Sequence, residues 1–150
     1  VVRPLRFITP VVAACAVTLI GCGDGRPALY PVKGVVRFES GDPVRNATIE
    51  FVPQSAGPSP RGRIDAEGAF ALGTYANGDG APAGDYRVVV VQALAPDATK
   101  HLGNLGDAHT GHAGGVKVVA LKHASPDTSG VRSEVKASPT NDLEIVVDAR

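Results

Sequence analysis

A thiol beside small residues is the first feature of this chain that could do chemistry. Leu19, Ile20, Gly21 and Cys22 close an uncharged stretch that begins at Phe7, with Arg3 and Arg6 ahead of it. A sulfur nucleophile can form a thioether, and the small Gly21 leaves the bond ahead of Cys22 open to a peptidase. The other cysteine, Cys15, lies within the apolar stretch, so cleavage before Cys22 leaves a single thiol. A lone cysteine in an exported chain needs a chemical use, and acylation is one. The second constellation is His101, His109 and His112 near Asp97 and Asp107, a ligand set suited to zinc or copper. It lies among Gly103, Gly106, Gly111, Gly114 and Gly115, and ordering such a segment around an ion costs about 1–2 kcal/mol per residue. A solvated insertion over residues 97–117 is therefore the expectation, with a metal-binding or metal-dependent protein as the alternative. Asn77, Gly78, Asp79 and Gly80 resemble a fragment of a calcium loop but lack the further carboxylates and closing Glu, so they read as a turn. No Gly-x-Ser-x-Gly elbow, catalytic-type cysteine or phosphate loop is present, so no residue is assigned to catalysis and the chain reads as non-enzymatic.

The elements around Cys22 have the anatomy of an export signal: a basic start, an apolar run and a small-residue exit. The run from Phe7 to Ile20 has 14 residues and contains Pro10, whereas a membrane-crossing helix needs about 20 apolar residues. A permanent span is disfavoured. The chain opens on Val1, which fits a non-standard start codon or a lost first residue. Residues 1–21 then form a leader, and residues 22–31, with Gly23, Gly25, Pro27 and Pro31, a short tether. Leu19-Ile20-Gly21-Cys22 resembles the lipobox of bacterial lipoproteins. That resemblance implies diacylglycerol on the Cys22 thiol and recognition of Leu19, Ile20 and Gly21 by signal peptidase II. It also implies anchorage in a bilayer on the non-cytoplasmic side of the cell envelope, since several acyl chains contribute about 0.8 kcal/mol per buried methylene. The residue after Cys22 is Gly23 rather than the Asp that favours inner-membrane retention in Gram-negative lipoproteins, which points to the outer membrane. No cofactor is expected beyond this covalent lipid.

The remainder has the size of one domain, rich in Val, Gly, Ala and Pro, without Met or Trp. Lys and Arg number 15, as do Asp and Glu; removing Arg3 and Arg6 leaves 13 against 15, so the mature chain is acidic by two charges and has no basic footprint for nucleic acid. From Val32 onward, short apolar runs alternate with Gly, Pro, Asn and Asp, and no helical period is sustained. Val32, Gly34, Val36 and Phe38 alternate with Lys33, Val35, Arg37 and Glu39; Ala47, Ile49 and Phe51 alternate with Thr48, Glu50 and Val52. The turn cluster Ser40 to Pro43 suggests a hairpin joining them. Gly62–Asp65 and Ala69–Leu72 flank Gly68 as a second hairpin. The valines at 88, 89, 90 and 91 suit a central strand covered on both faces, and Val131–Val135 with Leu143–Val147 form a last pair. Seven short strands of this kind indicate a sandwich.

Two stretches carry a family resemblance. Tyr30-Pro31-Val32-Lys33-Gly34-Val35-Val36, followed by Gly41, Asp42, Pro43, Val44, Ala47, Ile49, Phe51, Val52 and Pro53, is similar to the start of carboxypeptidase regulatory-like, transthyretin-like domains. Asp65, Gly68, Phe70 and Leu72, then Gly80 to Val88 with Pro82, Gly84 and Tyr86, resemble the next hairpin and strand of that family. The run Lys122, Ser125 to Gly130, Glu134, Val135 and Lys136 resembles a segment found in small bacterial lipoproteins carrying this domain. The resemblance covers residues 30–150 and implies an all-β, seven-stranded antiparallel Greek-key-type sandwich over 32–150, of the transthyretin or prealbumin kind. It implies a binding or structural module, whose loops 53–61, 74–84 and 97–117 would contact envelope proteins or glycans. Tyr86 would bury its ring and send its hydroxyl to the backbone, as a tyrosine corner does. Lys33 and Asn141, with Asp85 as the acid, suggest the intramolecular isopeptide bond of related Cna-type B domains, although Asn141 lies early for that role.

Overall fold

The computed structural model describes residues 25–93 and 117–150. Nine strands occur there: β1 (Leu29–Tyr30), β2 (Val32–Phe38), β3 (Ala47–Pro53), β4 (Arg61–Ile64), β5 (Ala69–Ala71), β6 (Ala81–Pro82), β7 (Gly84–Gln92), β8 (Arg132–Val135) and β9 (Asn141–Val147). One sheet has the order β5-β2-β9, the other β4-β3-β7-β8, and β1 pairs with β6 beside them. The protein is an all-β sandwich. Period-two alternation builds its interior: Val36 and Phe38 of β2, Ile145 and Val147 of β9, Ile49 and Phe51 of β3, and Val88 and Val90 of β7 meet in one buried cluster. Phe51 sits at its centre, with its ring centroid 6.3 Å from that of Phe70 and 5.6 Å from that of Tyr86. Among the described residues no helix is long and apolar enough to cross a membrane.

Strand pairing departs from the local hairpins that the turn signals suggest. β2 pairs with β5 and β9, while β3 pairs with β4 and β7, so the segment between β2 and β3 passes from one sheet to the other. The chain first folds back on β2, with Phe38 N–H donating to Asp42 O and Val44 N–H to Val36 O; Asn46, at φ 50°, then leads it into the second sheet. β4 and β5 also lie in different sheets, touching across their connection through Asp65 N–H to Ala69 O and again at their far ends through Arg61 N–H to Gly73 O. β8 and β9 are split the same way. Side-chain alternation reports which face of a strand is buried, and both in-sheet and cross-sheet neighbours satisfy it. One pair also departs from the antiparallel expectation: β2 and β9 run parallel, from Val32 beside Asn141 to Phe38 beside Val147. Gly34 permits the close approach of β2 to β9, because a Cβ there would meet the Leu143 carbonyl, and it would also press on the Phe70 ring of β5.

β7 is interior to its sheet, flanked by β3 and β8. Val88, Val89 and Val90 are all buried, but Val91 is 48% exposed, so coverage of both faces ends one residue short of the full valine run.

Candidate functional site

The strand directions give the sandwich two distinct ends. β2 and β7 both begin beside the β1–β6 pair, where Leu29 opposes Pro82 and Tyr30 opposes Ala81. The described chain therefore starts at the same end as loop 54–60, loop 72–80 and turn 136–140. Arg26 is fastened there, its guanidinium carbon 4.7 Å from the centre of the Tyr75 ring. β7 finishes at the other end, where Gln92 opposes Ala47, so residues 93 and 117, which bracket segment 94–116, leave the sandwich about 20 Å from the β1–β6 pair. Of the three loops expected to make contacts, 53–61 and 74–84 thus share the end at which the described chain starts. The third has both flanks at the opposite end.

Side chains pin those flanks. Gln92 donates from Nε2 to Arg45 O at 2.9 Å, and its Oε1 accepts the Val119 N–H at 3.0 Å. Lys117 donates to Ser40 Oγ at 2.7 Å and to the Asp42 carboxylate, tying the returning chain to the segment after β2. That Lys117 hydrogen bond, with a second from Ser40, holds the Asp42 carboxyl below its ordinary range. Ala120 N–H then donates to Asp148 O and Arg150 N–H to Val118 O, adding a short rung beside the end of β9.

From this neck the chain crosses between the sheets, and its fastening is a buried polar cluster that sequence reasoning does not single out. His123, in a 3-10 turn over Leu121–Ala124, is 2% exposed. Its Nδ1 lies 3.3 Å from Ser129 Oγ, and the Ser129 hydroxyl donates to Val88 O of β7. Because that hydroxyl proton is committed, Nδ1 is the donor to Oγ. On the other side Nε2 faces Asp148, just beyond β9, with the backbone N at 3.1 Å and Oδ2 at 3.0 Å. It accepts the N–H when the imidazole is neutral and donates to the carboxylate when it is charged. Lys122 binds the same carboxylate, and its hydrogen bond, followed by that of His123, depresses the Asp148 pKa. Through the Ser129 hydroxyl, one imidazole therefore links β7 to the end of β9. Although the residue types are Ser, His and Asp, the serine is 4% exposed and its proton is bound to a carbonyl, so this cluster offers no reachable nucleophile. A single polar residue in the run Lys122-His123-Ala124-Ser125-Pro126 carries no periodic signal of burial. Thr128, donating to Lys122 O, and Ser129, whose N–H reaches Ser125 O, shape the rest of the crossover.

The other sequence candidates fall as follows. Leu19, Ile20, Gly21, Cys22, His101, His109 and His112 lie outside the described residues. Among those described, no group of three His, Cys, Asp or Glu side chains could hold a metal ion. Asp79 closes a turn: its carboxylate accepts the N–H groups of Thr74, Tyr75 and Ala76 at 2.6, 3.1 and 2.9 Å. Desolvation is the largest single influence and raises its pKa, but the backbone donors of Thr74, Ala76 and Tyr75 together outweigh it, and the carboxyl lies below its ordinary value. Tyr86 is buried and donates to Pro82 O at 2.7 Å, and burial raises its pKa. The isopeptide arrangement does not form. Lys33 is exposed and pairs with Asp142 at 3.3 Å, one register position beyond Asn141. Successive residues face opposite sides of a strand, so the buried Asn141 points away from Lys33 and instead binds Lys136 N, Lys136 O and Pro31 O. Asp85 is exposed on β7.

No family model matches the chain, and neither the curated proteins nor the solved structures contain a match.

Proposed function

We propose that this chain is a lipid-anchored, non-catalytic module of the bacterial cell envelope. Residues 1–21 act as the export signal, Cys22 carries the lipid, and residues 22–31 tether a carboxypeptidase regulatory-like, transthyretin-like sandwich on the non-cytoplasmic side, with the outer membrane as its site. The sandwich is a rigid spacer whose far end meets envelope proteins or glycans, while loops 54–60 and 72–80 face the bilayer. The observation that carries this reading is the opposition of the two ends: the tether leaves at one, held by Arg26 on Tyr75, and the pinned neck of segment 94–116 leaves at the other. A scaffold that clamps a long insertion at the pole farthest from its tether suits display to a partner.

The test is fractionation of cells producing the full chain, with metabolic labelling by a palmitate analogue. Wild-type protein should be labelled and sediment with membranes, and Cys22→Ser should lose both properties. Labelling that survives Cys22→Ser, or a wild-type chain found soluble with its leader attached, overturns the proposal.

A further inference from the structure

Strand β8 ends the four-stranded sheet, and its charges are arranged for a mate that the described chain does not supply. Val88 N–H donates to Val131 O, and the register sets Tyr86 against Ser133 and Gly84 against Val135. Residues 131, 133 and 135 thus turn their backbone groups toward β7, which leaves Arg132 and Glu134 presenting theirs outward. Both side chains are exposed, and neither has an ion pair or hydrogen bond among the described residues. Their cross-strand neighbours are the wrong sign: Arg132 lies opposite Arg87 and Glu134 opposite Asp85, like-charge pairings that destabilise a sheet.

We infer that β8 is the contact through which two copies of this chain pair, edge to edge and antiparallel, about a two-fold axis through Ser133. In that register Arg132 of each copy lies opposite Glu134 of the other. Two cross-chain ion pairs form, and the outward backbone groups of Arg132 and Glu134 find partners. Moving the axis to Glu134 would set Arg132 against Lys136 and Glu134 against itself, so the charges select one register.

The other edges lack this property. β4 and β5 close on each other through Arg61 with Gly73 and Asp65 with Ala69. Along β9 the outward charges are Asp142 and Glu144, already paired with Lys33 and Arg37. Two-fold pairing there about Leu143 would oppose acid to acid, and the upper end of that edge is occupied by Val119 against Ala149. Edges guarded against association carry charges that repel a second copy; β9 fits that description and β8 does not.

Sedimentation equilibrium of the full chain in density-matched detergent tests the inference. The wild type should be dimeric, and Glu134→Arg, which turns both ion pairs into repulsions, should weaken association at least about tenfold. The double exchange Arg132→Glu with Glu134→Arg restores opposite charges across the axis and should restore the dimer. A wild type that stays monomeric to about 100 μM, a dimer indifferent to Glu134→Arg, or a double exchange that does not recover pairing overturns it. Because both positions are solvent-exposed, circular dichroism of the variants should match that of the wild type.

Discussion

Removing the imidazole of His123 should weaken the sandwich more than its place outside any long strand suggests. Three losses combine in His123→Ala. A buried side chain of medium size disappears from a site 2% exposed, Ser129 Oγ loses its donor, and the Asp148 N–H loses its acceptor. Large-to-small substitution at buried sites costs about 2–5 kcal/mol, and each buried polar group left without a partner about 1–3 kcal/mol. Asp148 is partly exposed, so water relieves its side of the cluster, and we expect a net loss of about 2–4 kcal/mol. That is a large fraction of the roughly 5–15 kcal/mol available to a single domain. Urea unfolding followed by circular dichroism measures it, with the midpoint falling at unchanged slope. His123→Leu keeps most of the volume but not the hydrogen bonds, and should recover only a fraction of the loss. The double variant with Ser129→Ala should be less than additive by about 0.5 kcal/mol or more, since the two residues share one bond. A loss below about 0.5 kcal/mol for His123→Ala, the range of ordinary surface substitutions, would refute the view that this residue joins the sheets.

Gly34→Ala should destabilise the fold by about 1–3 kcal/mol, as overpacking does, because the added methyl meets the Leu143 carbonyl where β2 and β9 run side by side; an unchanged urea midpoint would show that the two strands can separate there. The Asp79 carboxyl is depressed from its ordinary 3.8 in the folded chain, so the unfolded state binds the proton more readily. Its contribution is complete above the unfolded pKa and is lost as pH falls through the folded one. Unfolding midpoints should therefore drop below about pH 4 more steeply in the wild type than in Asp79→Asn; equal slopes would mean the Thr74–Ala76 turn does not depend on that charge.

Much of the architecture was legible in local residue order. The alternation of Val32, Val36 and Phe38, and of Ala47, Ile49 and Phe51, marks the buried side of each strand, and these residues are buried. Gly68, at φ 86°, sits in the turn where a glycine was needed, Asp79 closes a turn, and the Tyr86 hydroxyl reaches a backbone carbonyl. These are short-range properties, set by the backbone preferences of a few neighbouring residues and by a side-chain period of two. Which strands pair was not legible. Turn residues after β2, β4 and β8 look alike whether the chain returns beside the strand it left or crosses to the other sheet, and in all three places it crosses. Nor could local order reveal the parallel contact of β2 with β9, or a histidine whose partners stand 6 and 25 residues away. A polar side chain is buried only where distant groups supply its hydrogen bonds, and those groups meet only when two separate sheets close over the same interior.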